Sequence, residues 1–533
     1  MKPIRLFVGA IIITGLALAQ PSAPPAAACA QCHDQPQRLS KSTHAGLECQ
    51  TCHEGVAAYP HQQPVTKTPC AACHDEPVRQ FEAGAHARLR QRGNTRTPTC
   101  ANCHGDVHDA AKARDAAFRR NIPNTCGACH QAISLQYLSS VHGVAVTAGN
   151  EAPASCTTCH GSHTNLPPRD PESLVNTRNL RQTCASCHDN VILARRFHLP
   201  LDRVSSFDQS FHGLAAKAGS QSVANCASCH GIHNILPPSD PNSTIHPSHL
   251  AATCGRCHPG AGERFANAKM HWTERQGSPR GVQLVRSIYL VLIPLLAGLM
   301  GLHNGGDFLR KLLRNLRPLA PLPAEPPPPG QLRMTGFERL LHGTVALSFL
   351  LLVLSGFALR YPDSWWAGPL VRFESVWPVR GTLHRTAAVL MVAAGLAHVV
   401  SLIANSTLRT RWRTLWPSPA DVRDGFRMLL YNLGLRRHRP TLPEHSYVAK
   451  IEYWAVVWGA AVMALTGFLL WANRYTFAWV PRGWIDVAST LHFYEAVLAT
   501  VAIVVWHFYT VILDPDVYPM DPAWLTGSGS RRG

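Results

Sequence analysis

Outside one recurring pattern the chain has no cysteine: all eighteen fall in nine copies of Cys-x-x-Cys-His, so none is left for a disulfide. Acidic residues are also scarce, 32 against 50 Lys and Arg, for a formal net charge of +18. Much of that basic charge lies beside apolar runs, where it sets membrane orientation, and it gives no ground for nucleic-acid binding. The third shortage is local. From about residue 26 to 275 long apolar runs are missing, and the segment is rich in Ala, Gly, Pro, Asn and His. Such a stretch cannot build an ordinary hydrophobic core.

What the first half does contain is the motif. Its copies are Cys29, Cys32 and His33; Cys49, Cys52 and His53; Cys70, Cys73 and His74; Cys100, Cys103 and His104; and Cys126, Cys129 and His130. Four more follow: Cys156, Cys159 and His160; Cys184, Cys187 and His188; Cys226, Cys229 and His230; and Cys254, Cys257 and His258. This is the spacing of covalent c-type haem attachment, in which two thiols hold the macrocycle and the adjacent imidazole ligates the iron. Zinc ribbons pair their Cys-x-x-Cys units, and an odd count in which every copy carries the histidine does not fit them. Nine haem c groups are expected, and they would themselves be the core.

The N-terminus reads as a secretory signal over 1–19. Lys2 and Arg5 precede an apolar stretch from Leu6 to Ala19, with small residues at Ala17 and Ala19. Cleaved or kept as an anchor, it exports the cysteine-rich half. Within that half Ser140-Val141-His142-Gly143 recurs as Ser210-Phe211-His212-Gly213, and the constant offset continues through Cys156 and Cys226 to Cys184 and Cys254. The repeat implies duplicated two-haem modules.

Each haem iron takes a second axial ligand. The candidates outside the motifs are His44, His61, His86, His108, His142, His163, His198, His212, His233 and His271, with His246 and His249 as bystanders. The repeat favours His142, His163, His212 and His233. Bis-histidine ligation throughout means low-spin haems that carry electrons rather than bind substrate.

After residue 281 the chain changes. Apolar runs near 282–304, 336–360, 382–405, 448–472 and 488–513 are each long enough to span a bilayer. Basic clusters at Arg310, Lys311, Arg314 and Arg317, at Arg409, Arg411 and Arg413, and at Arg436, Arg437 and Arg439 mark the cytoplasmic side. Trp365, Trp366, Trp377, Trp479 and Trp484 mark the exported side, which places the C-terminus inside. The expected fold is mostly α, a haem-cored multihaem cytochrome c domain with few strands, then five spans of which four form a di-haem cytochrome b bundle. Its divisions are the signal (1–19), the exported nonahaem region (20–280), the first span with its basic segment (281–317), a Pro-rich linker (318–334), the bundle (335–515) and a cytoplasmic tail (516–533).

His384 and His398 share the third span, and His492 and His507 the fifth. Fourteen residues of helix rise about 21 Å and return nearly to the same face. Two antiparallel helices so marked can clamp two haem b groups, pairing His384 with His492 on the exported side and His398 with His507 on the cytoplasmic side. His342, at the depth of His398 and His507, competes with His398 for the inner haem. His303, His438 and His445 read as surface histidines. Two spans also begin or turn on carboxylates: Glu495 lies one turn beyond His492, and Glu452 starts the fourth span. Both are candidates for moving a quinol proton.

Arg339-Leu340-Leu341-His342, Leu383-His384-Arg385, Leu491-His492 and Trp506-His507 resemble the di-haem cytochrome b subunits of membrane formate dehydrogenases and hydrogenases. That resemblance implies His342 as an inner-haem ligand, whereas His398 follows the spacing of bc-type cytochromes. The whole arrangement resembles the inner-membrane quinol-oxidising cytochromes of metal-reducing bacteria. It implies a bacterial inner-membrane protein whose multihaem domain is periplasmic. Electrons would pass from the membrane quinone pool through two b haems and nine c haems to a periplasmic or outer-membrane cytochrome acceptor, with further complex subunits possible. The alternatives are quinone reduction, a conduit whose quinone chemistry lies in a partner, and a terminal multihaem reductase. The last needs an open iron, and all nine motifs end in His.

Overall fold

A computed structural model describes residues 26–54, 56, 61, 66–263, 270–271, 279–316, 333–371, 379–443, 445–472, 475 and 480–528. The signal sequence, Arg317, the proline-rich run at 318–329, Trp377 and Trp479 lie outside them. The chain is mostly helical. Among the described residues the one sheet is an antiparallel pair, β1 (His53–Glu54) with β2 (Thr66–Lys67), in which His53 faces Lys67. Two compact units divide the chain, Met1–Asn179 with His233–Ile235, and Leu180–Ile232 with Leu236–Gly533.

In the first unit, motif residues form single-turn helices whose starts are fixed by their own spacer residues. Thr99 caps Cys100–His104 with Asn102 answering, and Ser155 caps Cys156–His160 with Thr158 answering. The histidine ends the turn, and Gly105 and Gly161, both at φ 84°, reverse the chain directly after it. Helix α1 (Val141–Thr147) carries the repeated Ser-x-His-Gly. Ser140 Oγ accepts from Gly143 N at 3.1 Å, while a Cβ on Gly143 would stand 2.1 Å from Tyr137 O. Only glycine lets the helix cross its predecessor that closely, and the crossing aims His142. Buried apolar side chains in this unit are mostly small, such as Ala87 and Ala110.

The second unit repeats the device. In α2 (Phe211–Lys217) Ser210 Oγ accepts from Gly213 N at 3.2 Å, and a Cβ on Gly213 would meet Phe207 O at 2.1 Å. Asn225 caps Cys226–His230, and Gly231 (φ 83°) turns the chain. Five helices of this unit are long and apolar enough to cross a membrane. They are α3 (Arg280–Leu316), α4 (Gly336–Arg360), α5 (Val379–Ala404), α7 (Tyr447–Trp471) and α8 (Arg482–Ala502, prolonged by π turns to Leu513). A further helix, α6 (Pro419–Asn432), lies between α5 and α7 in sequence. α4 packs along α5, and α7 along α8.

α3, expected outside the four-helix bundle, packs on α8. It continues well past the apolar run because its basic end is paired. Lys311 Nζ lies 2.6 Å from Asp307 and 2.7 Å from Asp514. One face, Leu284, Ile288, Val291, Leu295, Leu299 and Leu302, is exposed at helical spacing and suits lipid. The other face packs on α8 and carries polar groups that each find a partner there, on α7 or at Asp514 just past α8: Tyr289, His303, Asn304, Asp307 and Lys311. The bundle therefore has five members.

Candidate functional site

Eight motif histidines each face one further histidine. In the first unit the ring centroids are 6.4 Å apart for His33–His61, 6.0 Å for His74–His44 and His53–His108, and 6.3 Å for His130–His86. His104–His163 and His160–His233 follow at 6.1 and 6.2 Å. In the second unit His258–His212 stand at 6.0 Å and His230–His271 at 6.2 Å. A metal between two imidazoles, with bonds of about 2 Å and ring radii of about 1.1 Å, sets centroids about 6.3 Å apart. The pairs are spaced for an iron.

The order of pairing follows from the turns. Gly161 sends the chain away from His160, so His163 meets His104 two motifs back, and after Gly231 His233 meets His160 in the same way. The Ser-x-His-Gly histidine of α2 instead serves the later motif, His258. Burial pushes His212 and His271 down to about 4, with their facing histidines adding to the effect, and lowers His104, His160, His230 and His258, which favours the neutral imidazole with a lone pair to give at these six. Nδ1 atoms are anchored from behind: His108 by Asp106 Oδ1 at 2.8 Å and His271 by Ser206 Oγ at 3.0 Å. His198 stands exposed at φ 54° and belongs to none of these eight pairs. His246 and His249 face each other at 6.1 Å.

Two further pairs lie among the membrane helices. His384 of α5 and His492 of α8 have centroids 6.4 Å apart, and so do His342 of α4 and His507. Ser355 Oγ lies 2.8 Å from His384 Nδ1 and donates to Leu351 O at 2.5 Å. Thr466 Oγ1 lies 2.9 Å from His492 Nδ1 and donates to Val462 O at 2.7 Å. Each hydroxyl has given its proton to a carbonyl, so each Nδ1 is the donor and each Nε2 keeps its lone pair. Gly356 and Gly467 follow these hydroxyl residues, where a Cβ would lie 3.4 and 3.3 Å from the two imidazole Cε1 atoms.

At the inner pair the ring opposite His507 is His342. His398 does not face His507; its Nε2 lies 3.0 Å from the Tyr453 hydroxyl, which accepts from Trp412 Nε1 at 2.6 Å. Tyr453 therefore occupies His398 Nε2, an atom that an iron ligand would need free. The register of His507 also differs from a plain helix. Fifteen α-helical residues would turn it away from His492, but Ile503–His507 is a π turn. Such a turn takes up about one extra residue and brings the ring back into line.

Asn304 has no sequence signal of its own, and Glu452 and His303 sit in surroundings that the sequence does not show. Asn304 Nδ2 donates to Val505 O at 2.8 Å, meeting a carbonyl within the π turn. Glu452 Oε1 lies 3.4 Å behind His507 Nδ1 and accepts from Thr510 at 3.0 Å, so it stands at the back of an imidazole. His303, expected at the surface, bonds the Tyr447 hydroxyl through Nε2 at 2.6 Å and lies 5.0 Å from the Trp506 ring. Glu495 is buried, with Oε2 accepting from Tyr289 at 2.6 Å.

Residues 333–518 match the family model of prokaryotic cytochrome b561, and residues 115–189 that of cytochrome c7 and related cytochrome c. Together these fit a multihaem cytochrome c joined to a cytochrome b. No curated protein and no solved structure matches the chain. The chain is a membrane electron-transfer cytochrome that carries haem c and haem b. The b561 match holds His342, His384, His398, His492 and His507, so it does not by itself choose among them. The c7 match holds three motifs, those ending at His130, His160 and His188.

Proposed function

We propose that this cytochrome oxidises membrane quinol and passes the electrons through two b haems to nine c haems, and on to a periplasmic cytochrome acceptor. The observation that supports the reading is the pair of histidine clamps on α4, α5 and α8, whose ring centroids stand at iron spacing within apolar helices. A haem inside the bilayer exchanges electrons with a carrier that lives there. His342 and His507 hold the inner haem, His384 and His492 the outer one, and Glu452 orients His507. For the c haems, each motif histidine is one ligand. His44, His61, His86, His108, His163, His212, His233 and His271 are the second ligands of eight. His188 follows His142 at the interval at which His258 follows His212, so the repeat gives His142 the role of His212. His198 and His398 hold none.

The ninth motif is the entry to the c haems. Ala261, three residues after His258, is buried against Cys254 and against Ile485 of α8. Ile485 precedes His492 by two helical turns, about 10 Å. Arg482, at the start of α8, donates to Met270 Sδ and holds down the charge on both His212 and His258. Arg310, Lys311 and Arg314 at the inner end of α3 support a cytoplasmic C-terminus.

A redox titration of the purified chain with a short-chain quinol tests the proposal. Reduction of both b and c absorbance supports it. A chain that dithionite reduces and quinol does not is a conduit, with the quinone chemistry in a partner subunit.

A further inference from the structure

Among the contacts on the polar face of α3, one reaches a carboxylate beside the His384–His492 clamp. Tyr289 donates its hydroxyl to Glu495 Oε2 at 2.6 Å, and Glu495 is 5 % exposed. An ionisable side chain within an apolar span is costly and marks function more often than packing. Glu495 sits one turn past His492, toward the middle of the bundle. Its second oxygen, Oε1, faces Gly459 of α7, where a Cβ would stand 3.4 Å away, so α7 places no side chain over it. Aromatic rings cluster beside this pair. Tyr289 stacks on Tyr494 at 5.9 Å, Tyr494 meets Phe493 at 5.3 Å, and Phe493 meets Phe357 of α4 at 6.3 Å. A flat aromatic ring bearing a hydroxyl is the ligand such a wall and carboxylate recognise.

We propose that Tyr289 and Glu495 form the proton-accepting end of the quinol site beside the His384–His492 clamp. Helix α3, outside the b561 match, thereby completes the site. The inference rests on the quinol reading above. Oxidising one quinol breaks two O–H bonds and yields quinone, two protons and two electrons. The two electrons would be taken by two ferric haems, one each. Each proton passes from the quinol oxygen to the Glu495 carboxylate and from there to water, the first leaving before the second arrives. Tyr289 holds Oε2, which presents Oε1 to the substrate. Glu452 is not equivalent, because its Oε1 is engaged by Thr510 and lies behind His507.

The test uses the full-length holoprotein in lipid nanodiscs as wild type, Glu495→Gln and Tyr289→Phe. Binding of a fluorescent hydroxyquinoline N-oxide, a quinol analogue, is read by quenching, and haem reduction by menaquinol is read by stopped flow. Dithionite-reduced spectra check that the haems are intact. Glu495→Gln is expected to weaken analogue binding and slow reduction at least about tenfold, with Tyr289→Phe losing less in the same direction. If wild type responds to quinol and Glu495→Gln binds and reacts equally well, the inference falls and the quinol reading stands. If wild type neither binds the analogue nor is reduced, the quinol reading itself falls.

Discussion

Ser355 and His384 are joined by a hydrogen bond of 2.8 Å whose direction is fixed, because the Ser355 hydroxyl gives its proton to Leu351 O. Thr466 repeats the arrangement at His492. Each hydroxyl sets a tautomer, and the tautomer makes the imidazole a ligand. Such partners raise ligand basicity, and their loss typically costs 10–100-fold in metal affinity. Ser355→Ala and Thr466→Ala are each expected to loosen the outer b haem by about that factor. A less basic ligand stabilises ferric iron less, so the midpoint of that haem should rise. Haem b retention during dilution, with a potentiometric titration, checks both.

His342→Ala should lose the inner b haem and keep the outer one, while His398→Ala keeps both. The ratio of b to c haem in pyridine haemochrome spectra reads this directly. Equal loss in both variants would return His398 to the ligand set.

The contrast between these two histidines shows where the sequence is informative. The nine motifs, the five apolar runs and the pairing of His384 with His492 were legible, because fixed spacing, hydropathy and helical period each leave a mark in the chain. Which of His342 and His398 stands opposite His507 was not. Both lie at one depth, and what separates them is Tyr453, a residue whose hydroxyl is placed by Trp412 from a different segment. Asn304 and Tyr289 were hidden for the same reason: their partners, Val505 and Glu495, are some two hundred positions away along the chain. The π turn at Ile503–His507 leaves no pattern in hydropathy at all.

Asn304→Leu leaves the Val505 carbonyl within the π turn without its amide partner. An unmet buried carbonyl costs about 1–3 kcal/mol, and the turn that sets His507 should relax. The inner b haem is expected to change its midpoint and its low-temperature α band, while the outer b haem stays as in wild type.

Lys311 is the shared cation of Asp307, Asp514 and, at 3.6 Å, Asp516, with only a tenth of its side chain exposed. Lys311→Met strands these carboxylates and should cost roughly 3–5 kcal/mol, read as a lowered thermal midpoint in detergent. An exposed ion pair such as Arg79–Glu76 should matter little; Arg79→Ala serves as the control, with the thermal midpoint essentially unchanged.

Gly213→Val forces a side chain into Phe207 O, where even a Cβ would stand at 2.1 Å. The shift of α2 should carry His212 away from His258. One c haem then becomes high-spin in the electron paramagnetic resonance spectrum of the oxidised protein, as it should in His212→Ala.

The central claim is that electrons from quinol enter through the membrane histidine clamps and leave through the c haems. Rapid mixing of the oxidised protein with menaquinol, followed at the separate b and c α bands, tests it most directly. The account predicts b reduction first and c reduction after it, with His492→Ala abolishing both phases while dithionite still reduces every c haem. Reduction of the c haems at the wild-type rate in His492→Ala would contradict it.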